Sequence, residues 1–153
     1  MLFWIHLVAT GLFLGATAGI ALFTVPRAAR ETTAVERRAS LVRTFRVYDP
    51  LAIALLGVMV MTGAWSVTGY KQSLGADYAT FAEHLAWKLA LAFLVVMSGT
   101  WVTFGIGHRL VRQMEWDEPV DEARMASLLG RLRGAAWTTV LLTIATIVVA
   151  SRR

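Results

Sequence analysis

The strongest constraint on this chain is its first apolar run, which extends from Leu2 to Val25 and contains no formally charged side chain. As a helix rising about 1.5 Å per residue, the run is roughly 36 Å long, enough to cross a hydrocarbon core of about 30 Å. A helix in the core of a soluble domain needs no such length, so the run predicts a membrane span. We expect it to be retained rather than cleaved, because no basic segment typical of a signal peptide precedes it.

Three further apolar runs follow the first one. We predict four spans, at about residues 2–25, 51–69, 82–107 and 134–151. The spans leave no room for a separate soluble domain, so we expect residues 1–153 to form a single membrane domain. Four spans joined by short loops favour an all-α fold, an integral membrane up-down four-helix bundle.

The loops carry signals for helix ends. Pro26 suits the end of the first span, while Asp49 and Pro50 suit the N-cap and first helical position of the second. The loop before Asp49 is compatible with a short amphipathic helix at the membrane surface. Residues from about Asp121 to Arg133 are expected to continue as helix into the fourth span.

The basic residues indicate a topology. Eleven of the 15 Lys and Arg residues lie in two loops, 26–49 and 109–133. The positive-inside rule places both loops in the cytoplasm, and it places the two termini and the second loop on the non-cytoplasmic side. We therefore expect a protein integral to the inner (plasma) membrane, with the lipid bilayer around it. The net charge of +5 follows from this topology, so we expect no nucleic-acid partner.

One face of the first span is polar. At about 100° per residue, His6, Thr10, Thr17 and Thr24 lie close together on the helix surface. Lipid cannot satisfy these groups, so this face is expected to point into the bundle. An ionisable side chain within a span is a candidate functional residue, although His6 is also compatible with a structural hydrogen bond.

The opposite face of the first span carries Gly11, Gly15 and Gly19. A row of glycines four residues apart lets a second backbone approach closely. The row predicts either packing against another helix of the same chain or a contact with a second subunit. In the second case the chain is part of a homo-oligomer or of a larger membrane complex.

The third span begins with two further ionisable residues. His84 and Lys88 are four residues apart and therefore share a helix face. If the first and third spans face the bundle centre, His6, His84 and Lys88 converge in the outer half. The alternatives are that His84 marks the water interface and that Lys88 extends toward the headgroups.

Soft metal ligands are few. The chain has no cysteine, which excludes disulfides and thiolate sites. Met59, Met61 and Met97 lie near mid-depth, and their thioethers suit Cu(I). However, Met59 and Met61 are two residues apart and point in different directions, so at most one of them serves a given site. Core packing is therefore the favoured interpretation of these methionines. The spans contain no hydrolytic triad, phosphate loop or carboxylate pair.

Three motifs resemble those of known membrane families. Trp4-Ile5-His6, the glycine-rich middle of the first span and Pro26 are similar to the first helix of the CopD (copper resistance protein D) family, whose members are typically longer. His84-Leu85-Ala86-Trp87-Lys88-Leu89 resembles the start of the third span in the related HemJ-type protoporphyrinogen oxidases. Pro50 followed by Thr62-Gly63 fits both families. The resemblance implies that His6 is a haem or metal ligand and that Lys88 is a partner for a propionate or another functional polar group.

Three hypotheses of function follow from the residues and the resemblance together. The first is a protein that binds haem b or a porphyrin in the outer half of the bundle, with a redox or haem-related role. His6 is then an axial ligand, His84 a candidate second ligand, and Lys88 the partner of a carboxylate. The second is copper handling by His6, His84 and one methionine. The third is a cofactor-free accessory subunit that docks through the glycine face.

Overall fold

The computed structural model describes the backbone of residues 2–74, 78–115 and 121–151, and their side chains except those of residues 78–80, 83–84 and 112–115. The regular structure of these ranges is entirely helical. The elements are α1 (Leu2–Gly19), the π-helical segment π1 (Ile20–Thr24), α2 (Val25–Arg30), α3 (Ala34–Leu74), α4 (Tyr78–Thr100), the π-helical segment π2 (Trp101–Gly107), α5 (His108–Glu115) and α6 (Glu122–Ser151).

Four helices in the described ranges are long and apolar enough to cross a membrane. They are Leu2–Arg30, Ala34–Leu74, Leu85–Val111 and Glu122–Ser151. Each overlaps one predicted span, so the all-α fold with four long apolar helices is confirmed. The first and third of these helices each continue through a π-helical segment without a break.

The expected stop at Pro26 is wrong, because the first helix continues to Arg30. Proline lacks the N–H that would close an α turn, and its ring crowds the carbonyl four residues earlier. Here π1 precedes the proline, and the Val25 N–H donates to the Ile20 carbonyl, five residues back. The wider turn re-pairs the backbone and lets the helix pass the proline.

The second helix also begins earlier than expected. Asp49 is not an N-cap, because α3 starts at Ala34 and runs through Pro50 to Leu74. The true start is a reciprocal capping box, in which the Thr33 N–H donates to Glu36 Oε2 and the Glu36 N–H donates to Thr33 Oγ1. The amphipathic helix expected in the first loop is thus the beginning of α3, and packing stabilises it through the buried side chains of Leu41, Val42, Phe45 and Tyr48.

The fourth helix starts where it was expected. Asp121 caps α6, since its carboxylate accepts hydrogen bonds from the backbone N–H groups of Ala123 and Arg124. The helix then continues to Ser151. The expectation that helix extends from the third loop into the fourth span is confirmed.

The contacts between helices define an up-down bundle. α3 and α6 begin at the same end, where Arg37 forms an ion pair with Glu122 at 2.9 Å. We call this the arginine end. The third helix finishes near it, because Gly107 lies against Phe45 and Asp49 of α3. The first helix packs mainly against α3 and to a smaller extent against α6. In the third helix, α4 packs mainly against α6 and to a smaller extent against α3. The first and third helices therefore lie diagonally opposite each other in the bundle.

The centre of the bundle is filled by Phe13. Its side chain is 0% exposed, and a Cβ added to Gly99 of α4 would lie 2.8 Å from Phe13 Cζ. The same Cβ would lie 3.3 Å from Leu56 Cδ1 of α3. Glycine at position 99 therefore lets a large ring cross the bundle, and this contact sets the relative level of α1, α3 and α4.

Candidate functional site

His6 lies on the inner face of α1, in the half of the bundle away from the arginine end. We call this the His6 half, defined by His6, Thr62 and Lys88. His6 itself is half-buried, while Thr10, Phe13 and Thr17 on the same face are buried. The expectation that this face points into the bundle is therefore confirmed.

The imidazole of His6 is held by α3. Its Nδ1 lies 2.8 Å from Thr62 Oγ1, a contact between residues 56 positions apart. The Thr62 hydroxyl donates to the Val58 carbonyl at 2.6 Å. Since a hydroxyl has one proton to donate, Thr62 accepts from His6, and the neutral imidazole carries its proton on Nδ1.

This hydrogen bond leaves the lone pair on His6 Nε2. A histidine that binds a metal usually donates its other ring N–H to an oxygen, which fixes both the tautomer and the orientation of the ring. The pair His6–Thr62 has this arrangement. It is also a good structural link between α1 and α3, so the geometry is compatible with both interpretations of His6 left open by the sequence.

The residue after Thr62 leaves space for the ring. A Cβ added to Gly63 would lie 3.6 Å from His6 Cε1, in van der Waals contact. Thr62-Gly63 fits the families that the sequence resembles, but its contact with His6 was not predicted. The available signal was a threonine in an otherwise apolar run.

Lys88 lies on the inner face of α4. It precedes Val95 by seven residues and Gly99 by 11, and both of these are buried. From the contact of Phe13 with Gly99, Lys88 is about 6 Å further from the bundle middle than His6, measured along the helix axes. Lys88 is half-buried, and within the described residues its ammonium group has no hydrogen-bond or ion-pair partner. A lysine stem can span such a difference in level.

The side chain of His84 lies outside the described residues, so its part in the site stays a prediction. His6 and Lys88 are on the inner faces of diagonal helices in the same half of the bundle, as expected. However, the ring of His6 is bonded to the second helix and not to the third.

The inner face is more accessible in the His6 half than in the middle of the bundle. Met59, Ser66 and Ala92 point inward but are only half-buried. By contrast, Phe13 and Val102 are 0% exposed. The inner faces are therefore less completely covered in the His6 half than near the centre.

The methionines give little support to a copper site. Met61 and Met97 are 68% and 53% exposed and point outward, while Met59 packs against the core. Within the described ranges, no group of three or more His, Asp or Glu side chains is arranged to hold a metal ion. Met59 thus fits the core-packing interpretation.

Further polar groups are buried between His6 and the arginine end, and the sequence did not predict their positions. Thr17 Oγ1 and the Tyr48 hydroxyl are 3.0 Å apart and buried. Nearby on α3, Asp49 Oδ1 is buried, as is Thr103 Oγ1 on π2, and neither atom has a hydrogen-bond partner in the described part of the chain. Asp49 therefore packs in the bundle instead of capping a helix.

The glycine face of α1 points away from the bundle. A Cβ added to Gly11, Gly15 or Gly19 would meet no described atom within 4 Å. Packing of this row against another helix of the same chain is therefore not seen among the described residues. The contact with a second subunit stays a prediction.

Fold and site together define a class, namely helical bundles whose four long apolar helices indicate a membrane protein. No protein-family model matches the chain, and neither a curated protein nor a solved structure does.

Proposed function

We propose that this protein binds haem b, or a porphyrin, between its helices in the His6 half, with His6 as an axial ligand. The observation that carries the proposal is the hydrogen bond between His6 Nδ1 and Thr62 Oγ1, which leaves Nε2 as the available ligand atom. A bound haem supplies one-electron redox chemistry, with a potential tuned by its axial ligand and the hydrogen bonds behind it.

The other residues of the His6 half fit such a molecule. Gly63 leaves room beside the imidazole, and the half-buried inner faces of α3 and α4 provide partly accessible apolar surface. Lys88 supplies a cation for a propionate or another carboxylate. Within the described residues, His6 is the one histidine on these inner faces, and the resemblance to HemJ-type and CopD proteins supports the same assignment.

The proposed setting is the inner membrane. By the positive-inside rule, the arginine end faces the cytoplasm, and the His6 half lies in the outer leaflet. A molecule bound there is close to electron donors or acceptors on the non-cytoplasmic side. The role is then redox or haem-related, with the outer half of the bundle as the binding region.

The test is a reduced-minus-oxidised visible spectrum of the protein purified in mild detergent. We expect sharp haem bands in the wild type and in protein reconstituted with haem b. His6→Ala should abolish them. His6→Gln is the sharper variant, because glutamine can still donate a hydrogen bond to Thr62 but does not replace imidazole as a haem ligand. Loss of the bands in a folded His6→Gln protein separates a ligand role from a structural one.

Thr62→Val tests the hydrogen bond behind the ligand. Removing such a partner typically weakens metal binding by about 10–100-fold. Thr68→Val on the same helix is the matched control, because the exposed Thr68 hydroxyl only bonds the carbonyl of Ala64. We expect Thr62→Val to bind haem more weakly than the wild type, and Thr68→Val to bind it as tightly as the wild type.

Two results would refute the haem proposal. One is a featureless spectrum after reconstitution with haem b. The other is an unchanged spectrum in His6→Gln. Copper handling instead predicts copper in elemental analysis that is lost in His6→Ala, without haem bands. An accessory subunit predicts neither cofactor.

A further inference from the structure

A groove of about 990 Å³ runs between the third helix and α6, on the outer surface of the bundle. One wall is formed by α4, π2 and the start of α5, and the other by the first two thirds of α6. Exposed apolar side chains line the part nearer the bundle middle, among them Leu94, Met97 and Trp101. The groove does not include His6, Thr62 or Lys88.

Three arginines lie at the arginine end of this groove. Arg124 and Arg131 are seven residues apart and share one face of α6, and Arg109 lies opposite them on α5. All three are exposed. Within the described residues, none of the three guanidinium groups forms a hydrogen bond or an ion pair. The groove therefore has a cationic end and an apolar remainder.

The π-helical segment decides where Arg109 points. An i→i+5 turn holds one residue more than an α turn, so the side chains after it are rotated by about one residue step, roughly 100°. Trp101, Gly105 and Arg109 consequently line the same wall at intervals of four residues. In an uninterrupted α-helix, Arg109 would lie roughly 60° around the helix from Leu94 and roughly 120° from Met97.

We propose that this groove binds an anionic phospholipid, with its phosphate at Arg109, Arg124 and Arg131 and an acyl chain along the apolar part. Charge complementarity selects the headgroup, because basic pockets between membrane helices bind anionic lipid headgroups. The apolar walls select an amphiphile over a soluble anion. The volume matches the upper part of the range of about 300–1,000 Å³ that is usual for ligand sites.

This inference is independent of the haem proposal. It rests on other residues and on the outer surface of the bundle, and it holds whichever way the protein is oriented in the membrane. Variants of the groove should leave the visible spectrum unchanged, and variants of His6 should leave lipid binding unchanged.

The experiment is native mass spectrometry of the detergent-purified full chain with phosphatidylglycerol or phosphatidylcholine of identical acyl chains. We expect the wild type to retain phosphatidylglycerol preferentially. Replacing the three groove arginines by glutamine should reduce that preference by about fivefold for each arginine removed. The matched control replaces three exposed arginines elsewhere, Arg30, Arg43 and Arg46, and should retain the preference.

Thr138→Trp separates a lipid from a free phosphate. Thr138 is an exposed residue of the apolar part, and a tryptophan there narrows the groove while leaving the arginines in place. A bound phospholipid should be lost in this variant. Thermal stabilisation by inorganic phosphate alone, unaffected by Thr138→Trp, would show an anion site and overturn the proposal.

Three other outcomes would also overturn it. Equal retention of the two lipids would show that the arginines select no headgroup. Equal loss in the control triple would show a general effect of net charge. Dimers without lipid adducts, dissociated by Thr138→Trp, would show that a second copy of the chain occupies the groove.

Discussion

Gly107 lies where the third helix comes closest to the second, and its replacement by alanine tests that contact directly. A Cβ on Gly107 would overlap both the ring of Phe45 and the carboxylate of Asp49. Phe45 is 0% exposed, and Asp49 Oδ1 is buried as well. Phe45 has no free space to move into, whereas Asp49 as a whole is half-buried, so Gly107→Ala must displace π2 from α3 or force the ring of Phe45 from its preferred rotamer.

The expected magnitude follows from two opposing effects. Overfilling a packed site costs about 1–3 kcal/mol. Alanine is a better helix former than glycine, and this difference offsets up to about 1 kcal/mol of the cost. Because the fully buried ring of Phe45 must shift, the overlap should dominate. We expect the free energy of unfolding to fall by about 1–2 kcal/mol, which is the upper part of the overpacking range less the gain in helix propensity.

The assay compares this variant with Gly130→Ala on α6. A Cβ at Gly130 would meet no described atom within 4 Å, so the same substitution acts there only through helix propensity. Thermal unfolding is followed by circular dichroism at fixed protein and detergent concentrations. For a chain of this size, about 2–4 °C of Tm corresponds to 1 kcal/mol. Gly107→Ala should unfold several degrees below wild type, and Gly130→Ala at or slightly above it.

One result would refute the reasoning. If Gly107→Ala were as stable as Gly130→Ala, then π2 and α3 would not approach each other as described. The burial of Asp49 and the position of Arg109 in the groove would then lose their structural basis as well.

Three further substitutions have defined outcomes. Phe13→Ala should lower the free energy of unfolding by about 3 kcal/mol, the low end for a buried phenylalanine because lipid is itself apolar, and denaturation in detergent measures the loss. Tyr48→Phe removes the partner of Thr17 and should cost about 1 kcal/mol in the same assay; an unchanged stability would contradict the buried hydrogen bond. Gly15→Leu should leave the melting temperature of the monomer unchanged, and size-exclusion chromatography should show a smaller assembly if the glycine face is a subunit contact.

The fold was largely predictable because its signals are local. A run such as Leu2 to Val25 is longer than a soluble helix needs, and in lipid a chain must satisfy its own backbone hydrogen bonds. These two facts predict four helices without any knowledge of their contacts. The inward direction of His6, Thr10 and Thr17 follows from the helical period for the same reason.

The ends of the helices were less predictable. Pro26 and Pro50 are strong stop or start signals in isolation, yet the helices continue through both. At Pro26, a π-helical turn re-pairs the backbone. At Pro50, buried residues on either side, such as Tyr48 and Ala52, hold the helix in place through tertiary packing. Tertiary packing routinely overrides a local propensity for a break, so the helix boundary predicted from the sequence alone is wrong.

The candidate site divides in the same way. The sequence by itself determined that His6 and Lys88 lie inside apolar helices, because residue type and helical period are local properties. Only the tertiary structure decided that Thr62, 56 positions away, is the partner of His6, and that Arg109, Arg124 and Arg131 meet at one groove. The physical reason is that such contacts depend on the order, level and rotation of packed helices. A single glycine such as Gly99, or one π-helical turn, changes the level or rotation of a helix, and the hydrophobic pattern of the sequence does not reveal that change.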